Sequence, residues 1–242
     1  MQKLFVDFVP DGIVMLDAEQ SRHIVKSLRM REGDMLFLSC GDGHDYGCII
    51  HKISDGNAQL EVCYKQANNS EADVKVSLYQ GIPKGDKLED IIQKCTELGI
   101  CEITPVLTHR SVSRPDEKAA RKKQQRYRKI ALEAAQQSGR GIVPSINDMV
   151  HLKTALQKDE SDIKILFYEG GGEPLAKILD YKSSFSSVSI YIGPEGGFEK
   201  EEVELLQNNG AVVATLGKRI LRTQTAPVAA LSAIMLLTGN LE

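Results

Sequence analysis

Two patterns of hydrophobic and polar positions divide the chain. Over residues 1–65, short runs with strand-like spacing are separated by turn signals such as Gly41-Asp42-Gly43. These runs predict strands at residues 12–16, 34–39, 48–53 and 58–64. One stretch with helical spacing, residues 18–30, interrupts them. Together these elements predict a small β-barrel with one helix.

The second pattern begins after a polar segment, residues 66–72, which predicts a linker. Beyond it, strands alternate with helices, as is typical of βαβ units and a mostly parallel sheet. The predicted strands are 74–80, 103–107, 163–168, 188–192 and 212–216. The predicted helices are 87–98, 115–138, 173–179, 199–208 and 226–238. The fold class is therefore α/β, with a small β domain at residues 1–66 and an α/β domain at residues 73–242.

Composition limits the classes of function. Apolar residues make up 42% of the 242 positions, and the net charge of −3 shows no overall basic excess. Any surface that binds nucleic acid must therefore be local. The N-terminus shows no apolar leader, and no run reaches the ~18 apolar residues of a membrane span. We expect a cytoplasmic protein with no membrane partner.

The cysteines and histidines give no sign of a metal site. The five cysteines are scattered and form no Cys-x-x-Cys pair, so we expect ordinary reduced thiols and no metal. The chain also lacks a P-loop motif and a dinucleotide-binding fingerprint. Their absence argues against a P-loop enzyme and a nucleotide-dependent oxidoreductase.

Unusual loops follow three predicted strands, at residues 169–172, 193–198 and 216–227. Ligands of parallel sheets bind beyond the carboxyl ends of the strands. The loop 193–198 has three glycines, which let a backbone turn sharply and approach a ligand closely. The same sequence also suits a tight turn between a strand and a helix.

The loop 216–227 combines cations with an apolar surrounding. Lys218, Arg219 and Arg222 lie between a predicted buried strand and an apolar helix. They either meet a partner or remain solvated loop charges.

A local basic segment lies in residues 110–129, where nine basic residues face two acidic ones, a net charge of +7. Such density suits contacts with phosphates, although charge runs are often solvated helix faces.

Five blocks, in this order along the chain, resemble the RsmE family of ribosomal RNA uracil-N3 methyltransferases, within the SPOUT class. They are residues 23–29, 93–99, 133–140 with Pro144, 192–198 and 216–226. The resemblance covers almost the whole chain. It implies a PUA-like N-terminal barrel and a C-terminal SPOUT-type α/β domain with a trefoil knot. It also implies a homodimer, with S-adenosylmethionine bound in a bent form by the knot loops near the subunit interface.

The reaction that the resemblance implies is S-adenosylmethionine-dependent methylation of N3 of a specific uridine in small-subunit (16S) ribosomal RNA, near the decoding centre. The partner would be 16S rRNA or the small ribosomal subunit. The implied cofactor-binding residues are Tyr168, Glu169, Gly193, Glu195, Gly196, Gly197, Leu216, Gly217, Ile220, Leu221, Arg222, Thr223 and Ala226. The candidates for RNA contact are Lys26, Arg29, Arg110, Arg114, Arg126 and Arg140.

Two residues are our catalytic candidates. Methylation at N3 leaves negative charge on the uracil carbonyl oxygens as the N3 proton departs. We expect Arg222 to donate hydrogen bonds to that developing anion. We expect Glu195 to accept the proton, directly or through water, unless it only holds the backbone of its own loop.

The chain departs from the family at two positions. Gln224 stands where the family usually has Glu, so a carboxylate there cannot be essential if the protein is active, and an amide can still orient loops. The usual Arg close to the N-terminus is not evident, and Lys3 is the nearest cation.

Two rival functions remain open at the level of sequence. The first is methylation of a ribose 2′-hydroxyl, as other members of the class perform. The second is a non-catalytic RNA-binding factor for ribosome assembly, which would not bind S-adenosylmethionine.

Overall fold

The computed structural model describes residues 2–180 and 184–241, which form two compact units. The first unit is Met1–Glu71 with Ala135–Val143, and the second is Ala72–Ala134 with Pro144–Glu242. The predicted boundaries at 66 and 73 therefore need one correction, because residues 135–143 pack with the N-terminal unit. A sequence pattern could not show this, since the long helix that carries residue 135 is continuous.

The first unit is a five-stranded sheet with one helix. Its elements are β1 Gln2–Phe5, β2 Ile13–Met15, α1 Ala18–Arg22, a π-helical turn His23–Ser27, β3 Met35–Ser39, β4 His44–Ser54 and β5 Asn57–Ala67. The strand order is β1-β3-β4-β5-β2, with β1 and β3 parallel and the other pairs antiparallel. Among the described residues β1 and β2 are edge strands that do not pair with each other, so the predicted barrel is not closed by hydrogen bonds.

Two predictions for this unit differ from the structure. Strand β1 was not expected. The predicted helix 18–30 begins at the Asp17 cap, whose carboxylate accepts from Gln20 N at 2.7 Å, but it changes to a π-helical turn at His23. The fully buried Ile24 fixes this turn to the core, and Arg29 then takes a positive φ of 56° that ends the helix.

The segment predicted as a linker is partly ordered by the first unit. Strand β5 continues to Ala67. The Glu71 carboxylate accepts from Arg140 Nη2 at 2.6 Å and from Gly141 N at 3.0 Å. Asp45 and Lys3 form a buried pair nearby, and Lys3 Nζ also donates to the Gly139 carbonyl at 2.8 Å. These contacts attach residues 135–143 to the first unit.

The second unit is an eight-stranded parallel sheet with helices, as the alternating pattern predicts. Its strands are β6 Lys75–Gly81, β7 Glu102–Leu107, β8 Ser145–Ile146, β9 Val150–His151, β10 Ile163–Phe167, β11 Glu173–Pro174, β12 Ser187–Ile192 and β13 Ala211–Thr215. Its helices are α2 Lys87–Glu97, α3 Glu117–Ser138, α4 Leu152–Lys158, α5 Leu175–Asp180, α6 Lys200–Asn208 and α7 Ala226–Leu237. The last turn of α3 belongs to the first unit.

The strand order is β11-β13-β10-β12-β6-β7-β8, and β9 also pairs with β7. All of these pairs are parallel. The carboxyl ends of β10, β12, β13 and β6 therefore lie at one edge of the sheet, where ligands of such folds bind.

Local sequence explains the helices that flank this edge. Helix α2 buries Leu88, Ile91, Ile92 and Cys95, a spacing that places them on one face. Helix α6 begins with a capping box formed by Glu199 and Glu202.

Three short elements escaped prediction: α4, β8 and β9. The predicted helix 173–179 begins only at Leu175, because Glu173 and Pro174 pair with β13 as the edge strand β11, a position that tolerates proline.

Candidate active site at the carboxyl edge of the parallel sheet

The three predicted strand-end loops meet in one cavity of about 400 Å³, which we call the main cavity. It is lined by residues 167–169 after β10, 192–195 and 197–198 after β12, and 215–217, 219–223 and 226 after β13. This volume lies in the range of ~300–1,000 Å³ that is usual for small-molecule pockets. The expectation that the loops 193–198 and 216–227 share a ligand-sized cavity is therefore confirmed.

A buried glutamine joins these loops, and sequence reasoning missed it. Gln80, in β6, is 0% exposed. Its Nε2 donates to the Gly81 carbonyl at 2.9 Å, to Thr223 Oγ1 at 3.2 Å and to the Gly193 carbonyl at 3.3 Å. Thr223 Oγ1 also donates to the Gly193 carbonyl at 2.9 Å. The signal that could have found Gln80 is an amide side chain at the end of an otherwise apolar buried strand.

Glycines allow two of the loops to pack closely. Gly197 has a φ of +69°, and a Cβ there would lie 2.5 Å from Glu169 Oε1. A Cβ on Gly193 would lie 2.9 Å from the Gly197 Cα. A side chain at Gly193 would collide with the backbone of its own loop, and one at Gly197 would displace the Glu169 carboxylate and require a positive φ, so both positions favour glycine.

In the third loop, residues 216–227, the backbone near Gly217 has free space beside it. Gly217 has a φ of +100°, and a Cβ there would meet no atom within 4 Å. Ile220, which also lines the cavity, is 85% exposed. The exposed Ile220 side chain and the open backbone at Gly217 leave room for a ligand on this side of the cavity.

Glu195 is engaged with the loop after β6. Its Oε1 accepts from Lys87 Nζ at 2.6 Å and from the Lys84 backbone N at 3.1 Å. Partial burial alone would raise the pKa of Glu195, but the hydrogen bonds from Lys87 and the Lys84 backbone outweigh it and hold the pKa below its usual value. A carboxylate with a lowered pKa is a poor proton acceptor, so the geometry supports the loop-holding role rather than the catalytic one.

Arg222 lines the main cavity with its side chain exposed. Within residues 2–180 and 184–241, no ion pair or hydrogen bond occupies its guanidinium. Its carbonyl accepts from Thr225 N and Ala226 N, which fixes the backbone at the start of α7. The free guanidinium can therefore donate to a group bound in the cavity.

The structure brings most of the predicted cofactor residues together. Those that line the main cavity are Tyr168, Glu169, Gly193, Glu195, Gly197, Leu216, Gly217, Ile220, Leu221, Arg222, Thr223 and Ala226. Gly196 does not line it. The Gly196 carbonyl accepts from Arg110 Nη1, and a Cβ there would lie 3.1 Å from the Arg110 side chain. The structure thus places Gly196 against Arg110, and its contact with the cofactor stays a prediction.

Gln224 stands where the family usually has Glu. Its Oε1 is buried and accepts no hydrogen bond from the described residues. A carboxylate at this position would place a charge where no donor faces it, which costs more free energy than an amide does.

The six candidates for RNA contact have different environments. Lys26, Arg29 and Arg114 are exposed. Arg126 is exposed and pairs with Glu89 at 2.6 Å. Arg110 makes two hydrogen bonds of 2.8 Å to the Glu199 carboxylate, so it also holds the loop 193–198 in place.

Arg140 is the exception among these candidates. It is 4% exposed and pairs with Glu71 at 2.6 Å, so it cannot also reach a phosphate on the protein surface. The prediction that Arg140 contacts RNA is wrong in this structure, because burial and the ion pair give it a role inside the first unit. Lys3 is likewise buried and paired with Asp45 at 2.8 Å.

Other site classes find no support in the described residues. The five cysteines are free thiols. No group of three or more His, Cys, Asp or Glu residues is arranged to hold a metal ion in residues 2–180 and 184–241. In the same ranges, every helix is too short or too polar to cross a membrane.

Comparison with protein families matches both parts of the chain. An RNA methyltransferase domain matches residues 70–235, and an RNA methyltransferase PUA domain matches residues 16–63. The first match covers most of the second unit and includes the main cavity.

Individual relatives agree with the family match. The chain is 39% identical to ribosomal RNA small subunit methyltransferase E of Bacillus subtilis, over 97% of this chain and 96% of the relative. It is 30% identical to the protein of the same name from Synechocystis, over 93% of this chain and 73% of the relative. The crystal structure of a ribosomal RNA small subunit methyltransferase E from Neisseria gonorrhoeae, bound to S-adenosyl methionine, superposes with a TM-score of 0.90. It is 29% identical, and the match covers 98% of each chain. With a ligand-sized cavity between the family's loops and this likeness over nearly the full length, the chain belongs to the RNA methyltransferase family of ribosomal RNA small subunit methyltransferase E.

Proposed function

We propose that this protein transfers a methyl group from S-adenosylmethionine to N3 of a specific uridine in 16S ribosomal RNA, near the decoding centre. The single observation that carries the proposal is the main cavity, in which the loops 193–198 and 216–227 meet. Membership of the family supplies the class of reaction. The relative from Neisseria gonorrhoeae, bound to S-adenosyl methionine, supports the choice of cofactor.

The residues present fit this cofactor. The open space above Gly217 leaves room for a ligand against the backbone of the third loop. Ile220, Leu221 and Leu216 offer apolar surface for an adenine ring, and backbone groups of the loops 193–198 and 216–223 can bind its polar edges. Glu169 lines the same cavity and adds negative charge opposite a cationic ligand. S-adenosylmethionine supplies an electrophilic methyl group on a sulfonium.

The chain contributes chiefly by positioning and by electrostatics. The loops around the main cavity hold the methyl donor and the target uridine in line, which lowers the entropic part of the barrier to methyl transfer. Arg222 donates hydrogen bonds to the uracil carbonyl oxygens, where negative charge develops as N3 loses its proton and attacks. Glu195 stays ionised and holds its loop against Lys84 and Lys87. We assign the departing N3 proton to solvent water at the open mouth of the cavity.

RNA contact is proposed for the exposed cations, in both units. These are Lys26, Arg29, Arg110, Arg114 and Arg126. Salt-dependent contacts with phosphates would fix the position of the RNA, while the main cavity selects the target nucleotide.

A homodimer and a trefoil knot belong to the same proposal. Leu236 and Leu237, at the end of the apolar helix α7, are 59% and 49% exposed, which suits burial against a second copy. Thr223, in the loop 216–227, is hydrogen-bonded to Gln80 at the end of β6 and to Gly193 after β12. The loop therefore crosses the ends of both strands, a path that a knotted chain would also follow. Analytical ultracentrifugation tests the first statement, and a chain-crossing analysis of a crystal structure tests the second. A cytoplasmic location stays a prediction.

The proposed function is tested in cells by removing the gene. We expect ribosomal RNA from the deletion strain to lack one methylated uridine that mass spectrometry detects in the parent. The unaltered gene should restore it, and a gene encoding Arg222→Ala should not. Unchanged methylation in the deletion strain contradicts the proposal.

A further inference from the structure

A second cavity of about 280 Å³ lies at the same edge of the parallel sheet, and we call it the side cavity. Its lining includes Ile82, Leu88, Gln124, Tyr127, Asp148 and Met149. All of these residues belong to the second unit. The activity derived above leaves this cavity without a role.

One loop separates the two cavities. Ile82 and Leu88, at its two ends, line the side cavity. Between them, the Lys84 backbone N and Lys87 Nζ bond to Glu195, which lines the main cavity. Strands β12, β6 and β7 are neighbours in the sheet, and adjacent strands lie ~4.8 Å apart. The side cavity is therefore within reach of a nucleotide that neighbours one held in the main cavity.

The interior of the side cavity offers both apolar side chains and an unused hydrogen-bond donor. Ile82, Leu88, Pro105 and Met149 are apolar, and Tyr127 adds an aromatic ring. Burial raises the pKa of Tyr127 to about 12, so its hydroxyl stays protonated. Gln124 Nε2 is buried and has no hydrogen-bond partner among the described residues. A buried amide without a partner costs roughly 1–3 kcal/mol, a cost that a ligand carbonyl would remove.

The charges around the side cavity suit a nucleotide. Arg121 and Lys123 line it, and both belong to the basic segment of residues 110–129. Glu117 also lines it and forms an ion pair with Arg121, so Lys123 is the cation that a phosphate would meet first. Asp148 is exposed and can accept a hydrogen bond from a base N–H group. A cation for phosphate, an aromatic ring and a mixed set of amide and carboxylate groups are the features with which proteins hold unpaired bases.

We propose that the side cavity receives one unpaired nucleobase of the RNA, next to the nucleotide that is methylated. The base packs against Tyr127, a base carbonyl accepts from Gln124 Nε2, and a base N–H donates to Asp148. This inference rests on the proposed function and adds a second bound nucleotide, the neighbour of the one that is methylated. A cavity of this size takes a single flat base rather than a larger cofactor.

Two nucleic-acid probes of equal charge, one with bases and one without, test the proposal. One is a short unstructured single-stranded RNA, and the other is an abasic ribose-phosphate chain of the same length. Fluorescence anisotropy measures their affinity for the unaltered protein, for Gln124→Leu and for the matched control Gln125→Leu, whose glutamine is exposed and does not line the cavity. Asp148→Asn is a second variant, at an exposed position that does not endanger folding.

The unaltered protein should prefer the base-containing chain. Gln124→Leu should bind that chain about tenfold more weakly and the abasic chain equally well, because one hydrogen bond to a buried amide is lost. Asp148→Asn should weaken the same preference, and Gln125→Leu should leave it unchanged. Equal affinity of the unaltered protein for both chains overturns the inference, and so does equal behaviour of Gln124→Leu and Gln125→Leu.

Methylation of small ribosomal subunits by the unaltered protein is measured separately. Methylation without any base preference removes the side cavity from the account and leaves the proposed function standing. A base preference that Gln124→Leu removes and Gln125→Leu keeps, without methylation by the unaltered protein, contradicts the proposed function and supports the side cavity as a site for a base.

Discussion

The amide of Gln80 donates a hydrogen bond of 3.2 Å to Thr223 Oγ1, although 143 positions separate the two residues along the chain. Both side chains also donate to the Gly193 carbonyl. The end of β6, the loop after β12 and the loop after β13 thus share one buried set of hydrogen bonds. The spacing of these three segments around the main cavity therefore depends on this set.

Replacing Gln80 by Leu should therefore damage the main cavity before it damages the fold. The change removes three donated hydrogen bonds and leaves Thr223 and the Gly193 carbonyl with fewer partners. We expect affinity for S-adenosylmethionine, measured by calorimetry, to fall at least about tenfold. Gln93→Leu, at an exposed position on α2, is the matched control and should bind normally. Equal affinity of the two variants would show that Gln80 does not hold the loops.

The pair formed by Lys87 and Glu195 should give a pH-dependent contribution to stability. Because the folded protein lowers the pKa of Glu195, its contribution is present above the pKa of the unfolded state, about 4.3, and is lost as pH falls through the lower folded value. Lys87→Met should move the pKa of Glu195 up and reduce the free energy of unfolding near neutral pH. The difference from the unaltered protein should vanish in acid.

Denaturant unfolding at neutral and acid pH measures this difference, and carbon NMR of the Glu195 carboxyl follows its pKa directly. Lys94→Met, which breaks an exposed pair with Asp90 on the same helix, is the control and should have little effect. A pKa of Glu195 that does not move in Lys87→Met contradicts the assignment.

Removing Arg222 separates catalysis from binding of the cofactor. Arg222→Ala should lower kcat by about 100-fold or more, because its guanidinium donates to charge that develops only in the transition state. Affinity for S-adenosylmethionine should stay largely intact. Lys218 is a cation in the same loop, but it does not line the main cavity. Lys218→Ala is therefore the control and should leave kcat unchanged. Normal turnover by Arg222→Ala would rule out stabilisation of the anion by this residue.

The basic segment should govern the salt dependence of RNA binding. Neutralising Arg121, Lys122 and Lys123 together should weaken RNA affinity and flatten its dependence on salt, because each lost phosphate contact reduces the number of counterions released. Neutralising Lys153, Lys158 and Lys200, which are exposed elsewhere on the second unit, is a control of equal charge. An unchanged salt slope in the first variant would exclude this helix from the RNA-binding surface.

Hydrophobic spacing predicted the parallel sheet because its strands are long apolar runs with turn signals at both ends. It failed where an element is short or where a neighbour decides its conformation. Pairing with β13 makes the first residues of a predicted helix into β11, and the end of another predicted helix is a π-helical turn that buries Ile24. Strands β8 and β9 have two residues each and exist only through pairing with β7.

The site divides in the same way. The loops 193–198 and 216–227 were evident from glycines and cations in the sequence, and they do line one cavity. The role of Gln80 was not evident from the sequence, because it depends on partners more than 100 positions away along the chain. Arg140 was misassigned because a basic residue beside a basic helix gives no sign that Glu71 buries it.

The most direct test of the central claim uses purified protein, S-adenosylmethionine and small ribosomal subunits that lack the modification. After digestion of the RNA to nucleosides, mass spectrometry separates a methyl group on the base from one on the ribose. The account predicts 3-methyluridine, with one methyl group added per subunit. A product methylated at the ribose 2′-oxygen, or no transfer at all, would contradict it.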